Sequence, residues 1–166
     1  IEIASMDDDS IFGSVLHELK FSDAIKEDLL TDYQVVIVAV DDQIVMEKID
    51  QRRLLRTDLI ESIGADSLAA YIAIARSIKR FGLSKIITFH SRIAGAKRFV
   101  RDFQLSCESL FDSEQLGRSL FCDYVSGAMS SYERVKALTR LEKTSNKEVS
   151  VLANARCLSE GVDVPT

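Results

Sequence analysis

Lys85-Ile-Ile-Thr-Phe-His-Ser-Arg92 sets the fold of this chain. Lys85–Phe89 is a short apolar run rich in β-branched and aromatic residues, the composition of a buried strand. The polar His90-Ser91-Arg92 follows at once, and from Arg92 to Gln104 the apolar residues Ile93, Ala96, Val100 and Phe103 recur at helical spacing, with Ser91 as a candidate N-cap. A strand passing within three residues into a helix is the repeating unit of layered α/β proteins. Three further runs have the same character: Gln34–Val40, Leu120–Val125 and Val149–Ala153. All are continuous rather than alternating, which suits parallel strands covered on both faces.

Helical stripes fill the intervals. Leu68, Tyr71, Ile72, Ala75 and Ile78 mark one from Ser67 to Phe81, with Asp66 as N-cap and Gly82 as C-cap. Val135, Leu138 and Leu141 mark another from Ser131 to Lys143, where Ser130 and Glu133 have capping-box spacing. The pattern predicts an α/β domain whose mostly parallel sheet contains all four runs.

Composition closes off other classes. The chain has 166 residues, 46% hydrophobic and 28% charged, which excludes disorder and collagen-like repeats. Seven glycines and one proline are too few for a turn-rich all-β fold. The longest apolar run, Val35–Val40, is far short of the roughly 18 residues of a membrane span, so no membrane partner is expected. Cys107, Cys122 and Cys157 are odd in number and lack CxxC spacing, against a disulfide framework or zinc cage and for a reducing cytoplasm. His17 and His90 cannot alone build a multi-histidine metal site, so no metal site is expected. The chain opens on Ile1 without a leader-like segment and reads as an excerpt of something longer.

The net charge of −5 is unevenly spread. Residues 1–32 carry nine acidic residues against Lys20 and Lys26, a net of −7, and the remainder carries +2. Residues 1–32 read as an acidic connector or docking segment, with a short strand at Val15–Phe21 and a short helix at Ser22–Leu30 capped by Ser22. Residues 33–166 form the domain proper. A pI of about 5.1 argues against a dedicated nucleic-acid clamp but leaves room for a local basic face.

In open parallel sheets ligands bind beyond the carboxyl ends of the strands. Here those ends are Asp41-Asp42, His90-Ser91-Arg92, Ser126-Gly127 and Asn154-Ala155-Arg156. Helix N-termini beside basic side chains are phosphate sites. The enzyme templates are missing: no GxxxxGK[ST], no GxGxxG after a strand and no GxSxG. Asp7-Asp8-Asp9 reads as a solvated linker, and no complete catalytic centre is present. Arg134 reads as a structural anchor, His17 as a surface or half-buried residue, and Lys97, Arg98 and Arg101 as an exposed helix face. Tyr71, Phe99 and Phe103 are core candidates, and the cysteines are small buried hydrophobes.

Three segments in order carry a family resemblance: Lys85-Ile-Ile-Thr-Phe-His-Ser-Arg92, Val125-Ser-Gly-Ala-Met-Ser-Ser-Tyr-Glu-Arg134, and Val151-Leu-Ala-Asn-Ala-Arg-Cys-Leu-Ser-Glu-Gly-Val-Asp-Val-Pro165. They resemble motif IV, the Gly…Glu-Arg segment after it, and motif V of the C-terminal RecA-like domain of superfamily 2 helicases. Ser-Glu-Gly-Val-Asp-Val-Pro is closest to the DEAD/DEAH-like branch that includes restriction-type translocases. Leu29-Leu-Thr-Asp-Tyr33 is similar to the lead-in to the second domain of that branch. The resemblance covers most of residues 29–166. It implies a RecA-like three-layer α/β domain with a mostly parallel sheet, incomplete at its C-terminal end because motif VI would follow Thr166.

The family pattern implies that His90, Ser91 and Arg92 contact a nucleic-acid phosphate, with Ser91 also able to cap its helix. Gly127, Ser130 and Ser131 would meet the next phosphate, and Asn154 and Arg156 a further one. The usual motif V threonine is Ala155 here, and Asn154 is its possible substitute. Gly161 and Asp163 would approach the ATP ribose. ATP and Mg2+ would be cofactors of the full-length protein, with none bound by this chain alone and no metal ligand in it. The N-terminal RecA-like domain of the same protein, carrying the Walker A loop, would be a partner, and DNA the preferred substrate ahead of RNA. By itself the chain is expected to hydrolyse no ATP. The alternative is a non-catalytic α/β module that binds a partner or a phosphate ligand.

Overall fold

Residues 8–54, 63–109 and 117–157 are described by a computed structural model, and the chain divides into two units, Ile1–Ile37 and Val38–Thr166. In the first unit Asp8 is a local cap. Its carboxylate accepts from the Ser10 N–H at 2.9 Å and starts helix α1, Asp9–Phe12. The Ser10 hydroxyl and N–H hold that carboxyl below its ordinary range. The expected strand at Val15–Phe21 is absent: residues 13–20 are irregular, and Phe21 begins helix α2, Phe21–Lys26. That helix is shorter than Ser22–Leu30, and its N-cap position is Lys20, not Ser22. Asp28 takes the left-handed conformation (φ +57°) usual for glycine, and the Leu29 and Leu30 N–H groups both return to the Ala24 carbonyl. That closes the helix.

Gln34–Val40 is not a strand either. Residues 31–41 belong to no helix or strand, and Ile37 is 94% exposed. A β-branched run marks a capacity to pair, and this one has no ladder partner among the described residues. The next element is helix α3, Asp42–Leu54, which the pattern did not announce because Glu47, Lys48 and Asp50 interrupt its apolar positions. The Asp41 carboxylate accepts from the Gln43 N–H at 2.8 Å, so Asp41-Asp42 is a helix start and not a strand end.

Helix α4, Ala65–Phe81, buries Leu68, Tyr71, Ile72, Ala75 and Ile78, the five residues of its stripe. It starts earlier than expected, with Gly64 at the N-cap position, which leaves Asp66 in the first turn where its charge favours the free N–H groups. Gly82 closes the helix in the left-handed conformation (φ +64°), its N–H bonding the Ile78 carbonyl. Leu68 and Ile78 have no exposed surface, and each such side chain contributes about 1.5–3 kcal/mol of hydrophobic stabilisation.

Among the described residues the sheet has three strands: β1 (Lys85–His90), β2 (Ser119–Ser126) and β3 (Glu148–Ala155). Their order is β1-β3-β2 and both pairings are parallel. Helix α5 (Ile93–Ser109) joins β1 to β2, and helix α6 (Ser131–Glu142) joins β2 to β3. The two crossovers travel in opposite directions across the sheet, so crossovers of one hand place their helices on opposite faces. The core divides that way. Val149, Val151, Ala153 and Ala155 pack with buried residues of α3, α4 and α5, while Leu152 and Val125 pack with Ala137 and Leu141 of α6. β3 is covered on both faces, as its continuous apolar run requires.

Tyr71, Phe99 and Phe103 form one aromatic cluster of the first core, with ring centroids 5.3–5.7 Å apart. The capping box of α6 is complete: Ser130 Oγ accepts from the Glu133 N–H, and the Glu133 carboxylate accepts from the Ser130 N–H. Its apolar face differs from the expected stripe, since Ala137 and Leu141 are buried and Val135 is 60% exposed. No helix of the described residues is long and apolar enough to cross a membrane.

Candidate nucleic-acid interface

Strand register builds the rim. His90 of β1 and Ser126 of β2 both pair with Ala155 of β3, so the three strands end level. After β1 the chain leaves towards α5 on one face, and after β2 towards α6 on the other. Connections that part to opposite faces open a crevice at the carboxyl ends between them. A cleft of about 450 Å³ occupies that place. Ser91, Arg92 and Ile93 line it from the start of α5, Gly127 and Ala128 from the turn after β2, and Ala155 and Arg156 from the end of β3.

The first helical hydrogen bond of α5 runs from the Ala96 N–H to the Arg92 carbonyl, so Arg92 holds the cap position expected for Ser91. Ser91 lies just outside the helix, exposed on the cleft wall. Arg92 and Arg156 are both exposed, and neither makes a side-chain hydrogen bond or ion pair with the described residues. Two arginines without side-chain partners among the described residues thus line one concave site beside a helix N-terminus, an arrangement that attracts phosphate by charge and dipole. Gly127 is exposed, and a Cβ there would meet nothing among the described residues within 4 Å. Its lack of a side chain leaves the backbone of the turn open to approach.

The other described site candidates, His90, Ser130, Ser131 and Asn154, sit around this centre. His90 is half-buried, with its Nε2 3.0 Å from Thr88 Oγ1 and its ring 4.9 Å from the Phe99 ring, centroid to centroid. Burial pushes its pKa below the ordinary 6.5, which favours a neutral imidazole at pH 7. Ser130 and Ser131 stand at the start of α6, outside the cleft wall. The Ser130 hydroxyl donates to the Glu133 carboxylate at 2.8 Å, and Ser131 Oγ accepts from Arg134 Nη2 at 3.2 Å. Asn154 lies beneath the rim, only 1% exposed, with its Oδ1 accepting from the Cys157 N–H at 2.9 Å. Gly161 and Asp163 fall outside the described residues.

Away from the rim, Lys97 sits 5.1 Å from the Tyr124 ring centroid, and Arg101 pairs with the buried Asp102 at 2.7 Å. The cysteines are free thiols; burial pushes the pKa values of Cys107 and Cys122 far above neutrality, so both are inert thiols at pH 7. Among the described residues no group of His, Cys, Asp or Glu side chains could hold a metal ion. Sequence reasoning missed Ile93 and Ala128 as cleft walls, because Ile93 belongs to a helical stripe and Ala128 carries no chemistry. The signal for both was position: each lies within three residues of a strand end.

No family model matches the sequence, and no curated protein matches it. A solved structure does: "ATP-dependent Type ISP restriction-modification enzyme LlaBIII bound to DNA", with 26% sequence identity and a TM-score of 0.78 over 99% of this chain. The chain spans 11% of the length of that enzyme. With three parallel strands and helices on both faces of the sheet, it has the α/β architecture of a RecA-like domain.

Proposed function

We propose that this chain is the second motor domain of an ATP-dependent DNA helicase or translocase, and that its rim grips the phosphate backbone. The observation that carries the proposal is the meeting of Arg92, Arg156 and the α5 N-terminus at one cleft on the level carboxyl ends of the sheet. The order of the helicase-like segments and the likeness to an ATP-dependent, DNA-bound restriction-modification enzyme support it. Ser91 and the Gly127 backbone would donate to phosphate oxygens beside the two arginines, with Ser130 and Ser131 one turn further along the strand. Such contacts position a nucleic acid without reading its sequence.

In this reading ATP lies between this domain and a preceding RecA-like domain, which would hold the triphosphate and Mg2+, while Gly161 and Asp163 face the ribose. Closing of the two domains on ATP and reopening after hydrolysis would move the gripped strand. The test is DNA binding by the full-length protein, followed by fluorescence anisotropy across a salt series. Arg92→Ala and Arg156→Ala should each weaken binding on every sequence and make the salt dependence shallower by about 0.9 in log–log slope for each duplex phosphate released. Unchanged slopes in both variants would overturn the proposal and favour a partner-binding module.

A further inference from the structure

The end of β3 holds a conformation its own residue disfavours. Arg156 has a φ of +55°, where a side chain bearing a Cβ crowds the backbone. Among the described residues of 38–166 it is the one non-glycine residue in that region. It stands directly after the rung shared by all three strands and forms part of the cleft wall. An unusual backbone persists only where its surroundings fix it, and here the fixing group can be named.

That group is the Asn154 carboxamide. Asn154 belongs to the central strand, paired in register with Phe89 on one side and Val125 on the other. Its side chain reaches over Ala155 and Arg156, and Oδ1 accepts from the Cys157 N–H at 2.9 Å. The bond brackets Arg156 between an anchored strand residue and the backbone just beyond it. An extended residue 156 would carry on the strand's alternation and send its side chain to one face of the sheet. The left-handed turn breaks that alternation at the level of the cleft.

We infer that Asn154 is a positioning residue: it holds the Arg156 turn and so sets the guanidinium at the phosphate-binding cleft, without touching phosphate itself. The inference rests on the proposed grip of the rim on DNA. It assigns Asn154 a role beneath the interface rather than on it, consistent with its burial.

The experiment compares variants of the full-length protein on a fluorescein-labelled duplex across a salt series. Arg156→Ala sets the reference: a several-fold loss of affinity and a slope shallower by about 0.9. Asn154→Ala should reproduce both changes. Asn154→Ser keeps a shorter acceptor and should fall between Asn154→Ala and wild type. It also serves as the readout should Asn154→Ala fail to fold. Arg156→Gly removes the side chain and accepts positive φ unaided, so adding Asn154→Ala to it should change nothing further. A wild-type slope in Asn154→Ala beside a shallower one in Arg156→Ala would overturn the positioning role and leave the grip intact. A further loss in the double variant would mean that Asn154 itself meets phosphate, and would also overturn it. Wild-type slopes throughout would overturn the grip and the inference together.

Discussion

Val149–Ala153 and Gln34–Val40 are close in composition and opposite in circumstance. Both are short runs dominated by valine, leucine, isoleucine and alanine. The first lies in the middle strand of the sheet, laddered on both edges and covered on both faces, with Val149 and Ala153 fully buried. The second forms no strand, and Val35 and Ile37 stand in solvent. Intrinsic preference for extended structure is therefore not what separates them. A ladder neighbour and a helix on each face are what make the first run a strand.

The largest effect should come from testing that difference directly. Leu152→Ala empties a buried site between β3 and α6 and should cost about 2–5 kcal/mol in urea denaturation. Ile37→Ala removes a solvent-exposed side chain and should stay within about 0.5 kcal/mol. A cost at Ile37 near that at Leu152 would break the comparison, since it would mean the run is buried in solution. Amide hydrogen exchange gives the same contrast without mutation: slow at Val149–Ala153, fast at Gln34–Val40.

This contrast also explains how far the sequence could be read. Features that a segment settles by itself were legible: the stripe of α4 from Leu68 to Ile78, its Gly82 close, and the Ser130–Glu133 box. Strand β3 was legible for a different reason, because burial on both faces demands an unbroken apolar run, whereas the edge strands β1 and β2 carry similar runs although Phe89 and Phe121 stand exposed. Pairing itself leaves no local mark, so Gln34–Val40 and Val15–Phe21 resembled strands without being ones. The site was legible in outline, since strand ends can be located from the runs. Which of the candidates line the cleft and which lie buried beneath it was not. That the Asn154 side chain bonds back to the Cys157 N–H while Arg156 lines the cleft follows from one turn of backbone, which no spacing rule encodes.

Between those extremes stands the α6 cap, stabilised by residues three apart and needing no distant neighbour. Ser130→Ala should cost about 1 kcal/mol, well below Leu152→Ala and above Ile37→Ala. The cap also carries a pH signature. The Ser130 hydroxyl and N–H hold the Glu133 carboxyl below its ordinary value of 4.5. A carboxyl depressed in the folded state stabilises above its unfolded pKa and loses that stabilisation as pH falls through the folded value. The deficit of Ser130→Ala should accordingly be greatest near neutrality and shrink below the ordinary glutamate range. A deficit independent of pH would show that Glu133 does not share in the cap.

The smallest effect on stability belongs to Gly127, which joins the two ends of the comparison. It sits directly after β2, whose last residues Val125 and Ser126 are buried, yet Gly127 itself is exposed, as Ile37 is. A Cβ at Gly127 would touch no atom of the described residues within 4 Å, and its backbone does not occupy the left-handed region. Nothing among the described residues requires glycine there. Gly127→Ala should leave the urea midpoint unchanged or raise it slightly, because alanine loses less backbone freedom on folding. If the rim grips DNA through the Gly127 backbone, the same methyl group stands where a phosphate must approach, and affinity should fall several-fold with stability intact. A destabilised Gly127→Ala would show that the turn packs more tightly than its open geometry allows. A stable variant with wild-type affinity would confine the DNA contact to the arginines across the cleft.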